Sequence, residues 1–111
     1  KIRIVTDQHN NPTFADNLAE ILFALYEKDA RGIFHAVGKD CLSRYDFALR
    51  IAEIFDLDSK LIQPITTPEL NQIALRPRRV DLSTEKVKRV TGIEPLGVKE
   101  GLEILKEQLG E

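Results

Sequence analysis

The chain has 111 residues, enough for one small domain near the lower end of the usual size range. With 42% apolar and 31% charged residues it has the balance of a soluble globular protein, and a formal net charge of -2 gives no electrostatic case for nucleic acid or an anionic membrane as partner. No run approaches the roughly 18 apolar residues of a membrane helix, and the single cysteine, Cys41, excludes an internal disulfide and a Cys-rich metal site.

Residues 2 to 6, IRIVT, alternate with Ile2 and Ile4 on one face, the period of a half-buried strand. The polar stretch DQHNNPT follows, and Pro12 ends any strand. Thr13 is placed to cap a helix running to about Lys28, with Asp16 suited to its positive end. Phe14, Leu18, Ile21, Leu22 and Leu25 make its apolar stripe, Ala15 and Ala19 widen it, and Gly32 is placed to lead the chain out. GIFHAV, 32 to 37, reads as a largely buried strand.

Ser43 is a good cap for the next helix, with Leu42 and Phe47 at the spacing of a hydrophobic staple and Asp46 in the first turn. Phe47, Ile51, Ile54 and Phe55 continue one face. LIQPI, 61 to 65, is a third strand, which Pro64 confines to an edge or a strand end. Residues 66 to 82 read as irregular and contain the basic run RPRR. A short helix from about Ser83 to Val90 stops at Gly92. A last one from about Val98 carries Val98, Leu102, Leu105 and Leu109 in register, after Pro95 and Gly97.

The order β-α-β-α-β, then helices, predicts an α/β fold with few short strands and four to five helices, as a single unit over 1–111. Three short strands make little sheet, and they suit extending a larger sheet or packing on a second domain. The chain contains no methionine, even at its first position, and KIRIVTD does not read as a signal peptide. Both the thin sheet and the missing initiator lead us to expect part of something longer, in a reducing, cytoplasmic setting.

Several residue clusters bear on chemistry. The glycines fit neither the dinucleotide fingerprint nor the P-loop, so no cofactor is expected to be held by this chain unaided. Tyr26 and Tyr45 are followed four residues on by Ala30 and Leu49, so neither belongs to a Tyr-x-x-x-Lys proton-donor pair; both suit a helix surface or an interface. Asp7, Gln8, His9, Asn10 and Asn11 form a dense polar loop where a strand meets a helix, the place where α/β folds gather ligand contacts. Composition alone favours ordinary turn chemistry there. Arg76, Arg78 and Arg79 flank Pro77, and guanidinium groups match paired phosphate oxygens; surface pairing with carboxylates is the competing role, evenly balanced for Arg76 and favoured for the other two. His35 reads as a packed histidine and Cys41 as an incidental thiol. His9 and His35 are too scattered to hold a metal.

VTDQHNNPTFADNLAEILFAL, 5 to 25, resembles the Asp-Gln-x-x-x-Pro-Thr segment of dTDP-4-dehydrorhamnose reductases, through Asp7, Gln8, Pro12 and Thr13 and, one residue displaced, Asp16, Leu18 and Ala19. GIFHAVGKDCLSRYDFALRIAEIF, ALRPRRVDLSTEKV and TGIEPLGVKEGLEIL resemble later segments of the same family, in order. His9 to Asn11 depart from the small, Gly-containing segment common in bacterial members. The lobe pattern is shared with sugar epimerases, related reductases and the regulatory subunit of methionine adenosyltransferase.

The resemblance implies the C-terminal substrate-binding lobe of an extended short-chain dehydrogenase/reductase, without its N-terminal Rossmann domain. That domain would carry NADPH or NADH and the Tyr/Lys catalytic pair. It implies no catalytic residue in this chain, a nucleotide sugar as ligand, and Gln8, Pro12, Thr13 and Arg76 as pocket residues, Arg76 toward the diphosphate. Faces left without the Rossmann domain are expected to be apolar and to favour a homodimer.

Overall fold

A computed structural model describes residues 1–110. IRIVT does form a strand: β1, Ile2–Val5, pairs in parallel with β4, Ile62–Ile65, with Ile4 opposite Pro64 and Val5 opposite Ile65. Pro64 is tolerated because this sheet has only two strands, so each has a free edge and the missing N–H breaks no central ladder. Val5 and Ile65 are buried at one end of the pair.

Between them the chain makes β2, His9–Asn10, then helix α1, Ala15–Glu27. The α1 cap is Phe14, not Thr13 as predicted, because the Thr13 hydroxyl is engaged elsewhere: it donates to the Asn11 carbonyl and accepts from the Gly38 N–H. Nor is Gly32 the exit from α1. Asp29 takes the left-handed turn first, at φ 49°, and Gly32 supplies the next positive φ, 100°.

The predicted strand over 32 to 37 does not form. A strand needs a neighbour for its N–H and C=O groups, and among the described residues none pairs with this segment. Ile33 is 78% exposed and His35 is exposed too, so the packed role predicted for that histidine fails for the same reason. Lys86 holds the segment instead, donating to the Ile33 carbonyl at 2.7 Å with its ammonium 4.4 Å from the Phe34 ring centroid. The second sheet is made by β3, Leu42–Ser43, antiparallel to β2.

Helix α2, Arg44–Ile54, starts as its signals require: Ser43 caps it, accepting from the Asp46 N–H at 3.0 Å. A 3-10 turn at Ser59–Leu61 leads into β4. The stretch read as irregular holds one further turn of helix, α3, Thr67–Leu70, where the Glu69 carboxylate reaches back to the Thr66 N–H and hydroxyl. Helix α4, Glu85–Thr91, ends on Gly92 at φ 72°, and α5 is Val98–Gln108. Leu109 falls outside α5 and is exposed, unlike the rest of its predicted stripe.

Polar ties position the loops between these helices. Asn17, buried in α1, accepts from the Leu96 N–H and donates to the Glu94 carbonyl, and Asp40 accepts from the Val98 N–H at the start of α5. The core is small, centred on Val5, Ile21, Ala52, Ile65, Val87, Val98 and Leu102. A compact chain of this length has a radius of gyration of about 13 Å. Here it is 15.9 Å, with extents of 45 × 37 × 19 Å, so the molecule is a thin slab.

Candidate functional site

The polar loop after β1 lies where three backbone segments meet. β2 is flanked by β3 on one side. On the other it is flanked by residues 78–80: the His9 N–H donates to the Arg78 carbonyl and the Val80 N–H to the His9 carbonyl. Asp7 sits beneath, its carboxylate accepting from the Thr67 hydroxyl at 2.6 Å, the Thr67 N–H and the Arg78 guanidinium at 2.7 Å. The Thr67 hydroxyl chiefly, with its amide and Arg78 adding, holds the Asp7 carboxyl below its ordinary range against the opposing effect of desolvation.

Gln8 is buried, and its amide nitrogen donates to Thr67 and Gln72. Asn11 ties the next turn down, donating to the Gly38 carbonyl and accepting from the Leu82 N–H. These partners lie from 27 to 71 residues away, so the loop is set by tertiary contacts more than by its own turns.

The four predicted pocket residues are therefore placed differently from one another. Gln8 is under the loop, with both amide hydrogens used within the chain. Pro12 and Thr13 line a small apolar cavity of about 130 Å³ with Phe47 and Leu102. Arg76 stands exposed on the separate stretch before Arg78, without a hydrogen-bond or ion-pair partner among the described residues. Neither Gln8 nor Arg76 lines that cavity. Of the basic run, Arg78 pairs with Asp7 and Arg79 with Asp81, as surface pairing predicted for those two. Thr67 and Gln72 were missed by sequence reasoning; the Thr66-x-x-Glu69 spacing was the available sign that this stretch is ordered.

A dinucleotide does not fit these residues. The turn from β4 into α3 is where a parallel strand hands over to a helix, yet the N–H groups at its start already serve the carboxylates of Asp7 and Glu69. Two fixed negative charges there oppose a pyrophosphate, and no glycine opens the turn. Among the described residues there is no cluster suited to a metal ion, and no helix is long and apolar enough to cross a membrane.

Comparison with known proteins decides the family. The RmlD substrate binding domain matches residues 1–110. The chain belongs to that family. It is 32% identical over 103 residues to a dTDP-4-dehydrorhamnose reductase of Aggregatibacter actinomycetemcomitans, spanning 83% of this chain and 35% of that protein. It is 33% identical over 106 residues to methionine adenosyltransferase 2 subunit beta of Pongo abelii, spanning 86% of this chain and 31% of that protein. A solved dTDP-4-dehydrorhamnose reductase of Clostridium acetobutylicum superimposes with a TM-score of 0.88 at 30% identity, over 99% of this chain and 39% of that one. The chain thus spans about a third of the relatives it matches, and the mixed α/β architecture with few short strands and five helices is that of the reductases' substrate-binding region.

The charge pattern also predicts how stability depends on pH. Asp7, Glu69, Glu94 and Glu100 all have lowered carboxyl pKa values, set chiefly by bonds from Thr67, from Thr66, from Lys88, and from the Glu100 backbone N–H with Lys39. A lowered folded-state pKa adds stability above the unfolded value, about 3.9 for Asp, and that stability is lost as pH falls through the folded value. Asp7→Asn should therefore be less stable than wild type at pH 7 and lose less between pH 5 and pH 2.5. Urea midpoints across that range check it; parallel curves for the two proteins would contradict it.

Proposed function

We propose that this chain is the substrate-side lobe of a longer dTDP-4-dehydrorhamnose reductase, which reduces the C4 keto group of dTDP-4-dehydro-L-rhamnose with NADPH or NADH to give dTDP-L-rhamnose. The observation that carries the reading is the family match over residues 1–110. In it, Gln8, Pro12 and Thr13 shape the nucleotide-sugar pocket and Arg76 meets the diphosphate; the unpaired state of Arg76 supports that role. The hydride donor and the Tyr/Lys pair belong to a Rossmann domain outside these 111 residues, and this chain alone is inactive and binds no cofactor. The intact reductase works in a reducing cytoplasm.

The slab shape and one face of α1 support a docked domain: Leu22, Phe23 and Tyr26 are 53%, 62% and 82% exposed. The same face lets two copies of this chain associate when that domain is absent. Isothermal titration of dTDP and NADPH into the chain tests the division of labour. We expect dTDP to bind and NADPH not to; tight NADPH binding would contradict it.

The 33% identity to methionine adenosyltransferase 2 subunit beta favours a second reading, a non-catalytic regulatory module on the same fold. An upstream sequence that has lost Tyr-x-x-x-Lys favours that reading, and one with Tyr-x-x-x-Lys and the glycine fingerprint intact favours the reductase.

A further inference from the structure

The polar side chains around the loop after β1 fall into two groups. Asp7, Gln8, Asn11 and Thr13 give their polar atoms to the chain itself. Asn10 and Arg44 do not. Both are exposed, and among the described residues neither side chain has a hydrogen-bond or ion-pair partner. They meet at an open cleft of about 480 Å³, whose other walls are Asn11, Pro12 and Phe47.

The charge of Arg44 is unmatched, as is that of Arg76. Nearby cations are matched: Arg78 by Asp7, Arg79 by Asp81, Lys39 by Glu100. A wider cleft of about 730 Å³ sets Asp40, Glu53 and Asp81 against Lys39, Arg50, Arg79 and Lys99, so most of its positive charge is offset within its own wall. The Asn10–Arg44 cleft has no carboxylate in its wall.

Its walls are also stiff. Asn11 is held by Gly38 and Leu82, Pro12 has a fixed φ, and Arg44 and Phe47 lie in the first turn of α2, below the Ser43 cap. A guanidinium fork suits phosphate oxygens, and a primary amide suits a hydroxyl because each both donates and accepts. The half-buried Phe47 ring adds an apolar wall of the kind that lines small-molecule sites.

We propose that Asn10, Arg44 and Phe47 form a glycosyl-phosphate subsite, with Arg44 on the phosphate, Asn10 on a sugar hydroxyl and Phe47 against the apolar side of the ring. The subsite rests on the nucleotide-sugar reading above and adds residues that no feature of that reading assigned.

Nuclear magnetic resonance of the 15N-labelled chain tests it, with glucose 1-phosphate, dTDP-glucose and inorganic phosphate as probes. Both sugar phosphates should shift the Asn10 side-chain amide and the backbone amides of Arg44 and Phe47. Arg44→Ala should weaken both by about tenfold, Arg44→Lys should recover part of the loss, and Asn10→Ala should weaken the sugar phosphates while leaving inorganic phosphate unchanged. Thermal midpoints should stay at the wild-type value, since both side chains are exposed and unpaired. If dTDP-glucose shifts nothing, the nucleotide-sugar reading and the subsite fall together. If it shifts other residues and Arg44→Ala binds like wild type, the subsite alone falls. Equal affinity for inorganic phosphate and glucose 1-phosphate, untouched by Asn10→Ala, would overturn the sugar contact.

Discussion

Gly38→Ala should be among the most damaging single substitutions in this chain, and it should damage the ligand loop and the fold together. A Cβ at position 38 would fall well inside van der Waals distance of the Pro12 carbonyl oxygen, with the Pro12 carbonyl carbon at 3.1 Å and the Leu96 carbonyl oxygen at 3.2 Å. These are backbone atoms, so no rotamer change relieves the overlap; one of the two loops must move. Either movement stretches bonds that close on Gly38, from its N–H to Thr13 and from Asn11 to its carbonyl. Overpacking of this kind costs roughly 1–3 kcal/mol and occasionally more, a large part of the roughly 5–15 kcal/mol that holds a domain folded. Gly92→Ala is the control. Gly92 has φ 72° and open space around its Cβ position, so it should lose about 1–2 kcal/mol from backbone conformation alone. Urea midpoints should fall in both. Binding of dTDP should fall only in Gly38→Ala. Equal stability of Gly38→Ala and wild type would show that residues 12 and 38 are not in contact.

How much of this was legible in the sequence depends on the range of the interaction concerned. The start of α2 is written in Ser43 and Asp46, three residues apart, and the end of α4 in Gly92, because caps act within one turn. β1 and β4 carry their own apolar pattern, and Pro64 marks how little sheet surrounds them. GIFHAV has strand composition too, yet its state depends on a neighbour that composition does not supply. The candidate site was legible as a place and not as a set of roles. The density of Asp7 to Asn11 marks the loop, but Asp7 and Gln8 serve Thr67, Gln72 and Arg78, about 60 to 70 residues away, and no spacing encodes those partners. The run RPRR reads as one patch, and only tertiary structure separates the paired Arg78 and Arg79 from Arg76.

The α1 stripe shows the same limit on two adjacent residues, and a pair of substitutions makes it measurable. By helical period, Ile21 and Leu22 belong to one apolar face; in the structure Ile21 is 1% exposed against the inner elements and Leu22 is 53% exposed on the outside. Ile21→Ala should leave a cavity among residues such as Val87, since α1 packs on α4, and should cost roughly 2–5 kcal/mol. Leu22→Ala removes surface already half in water and should change the urea midpoint of this chain little. Self-association should reverse the ranking. Leu22, Phe23 and Tyr26 lie on the side of α1 left bare, so Phe23→Ser, with the fold intact, should shift sedimentation toward the monomer, whereas Ile21→Ala acts on stability first. A wild-type chain that sediments as a strict monomer at high concentration would remove the homodimer from the reading. It would leave the outer stripe to be explained by a docked domain alone, and Phe23→Ser in the longer protein would then be expected to loosen the contact between the two parts.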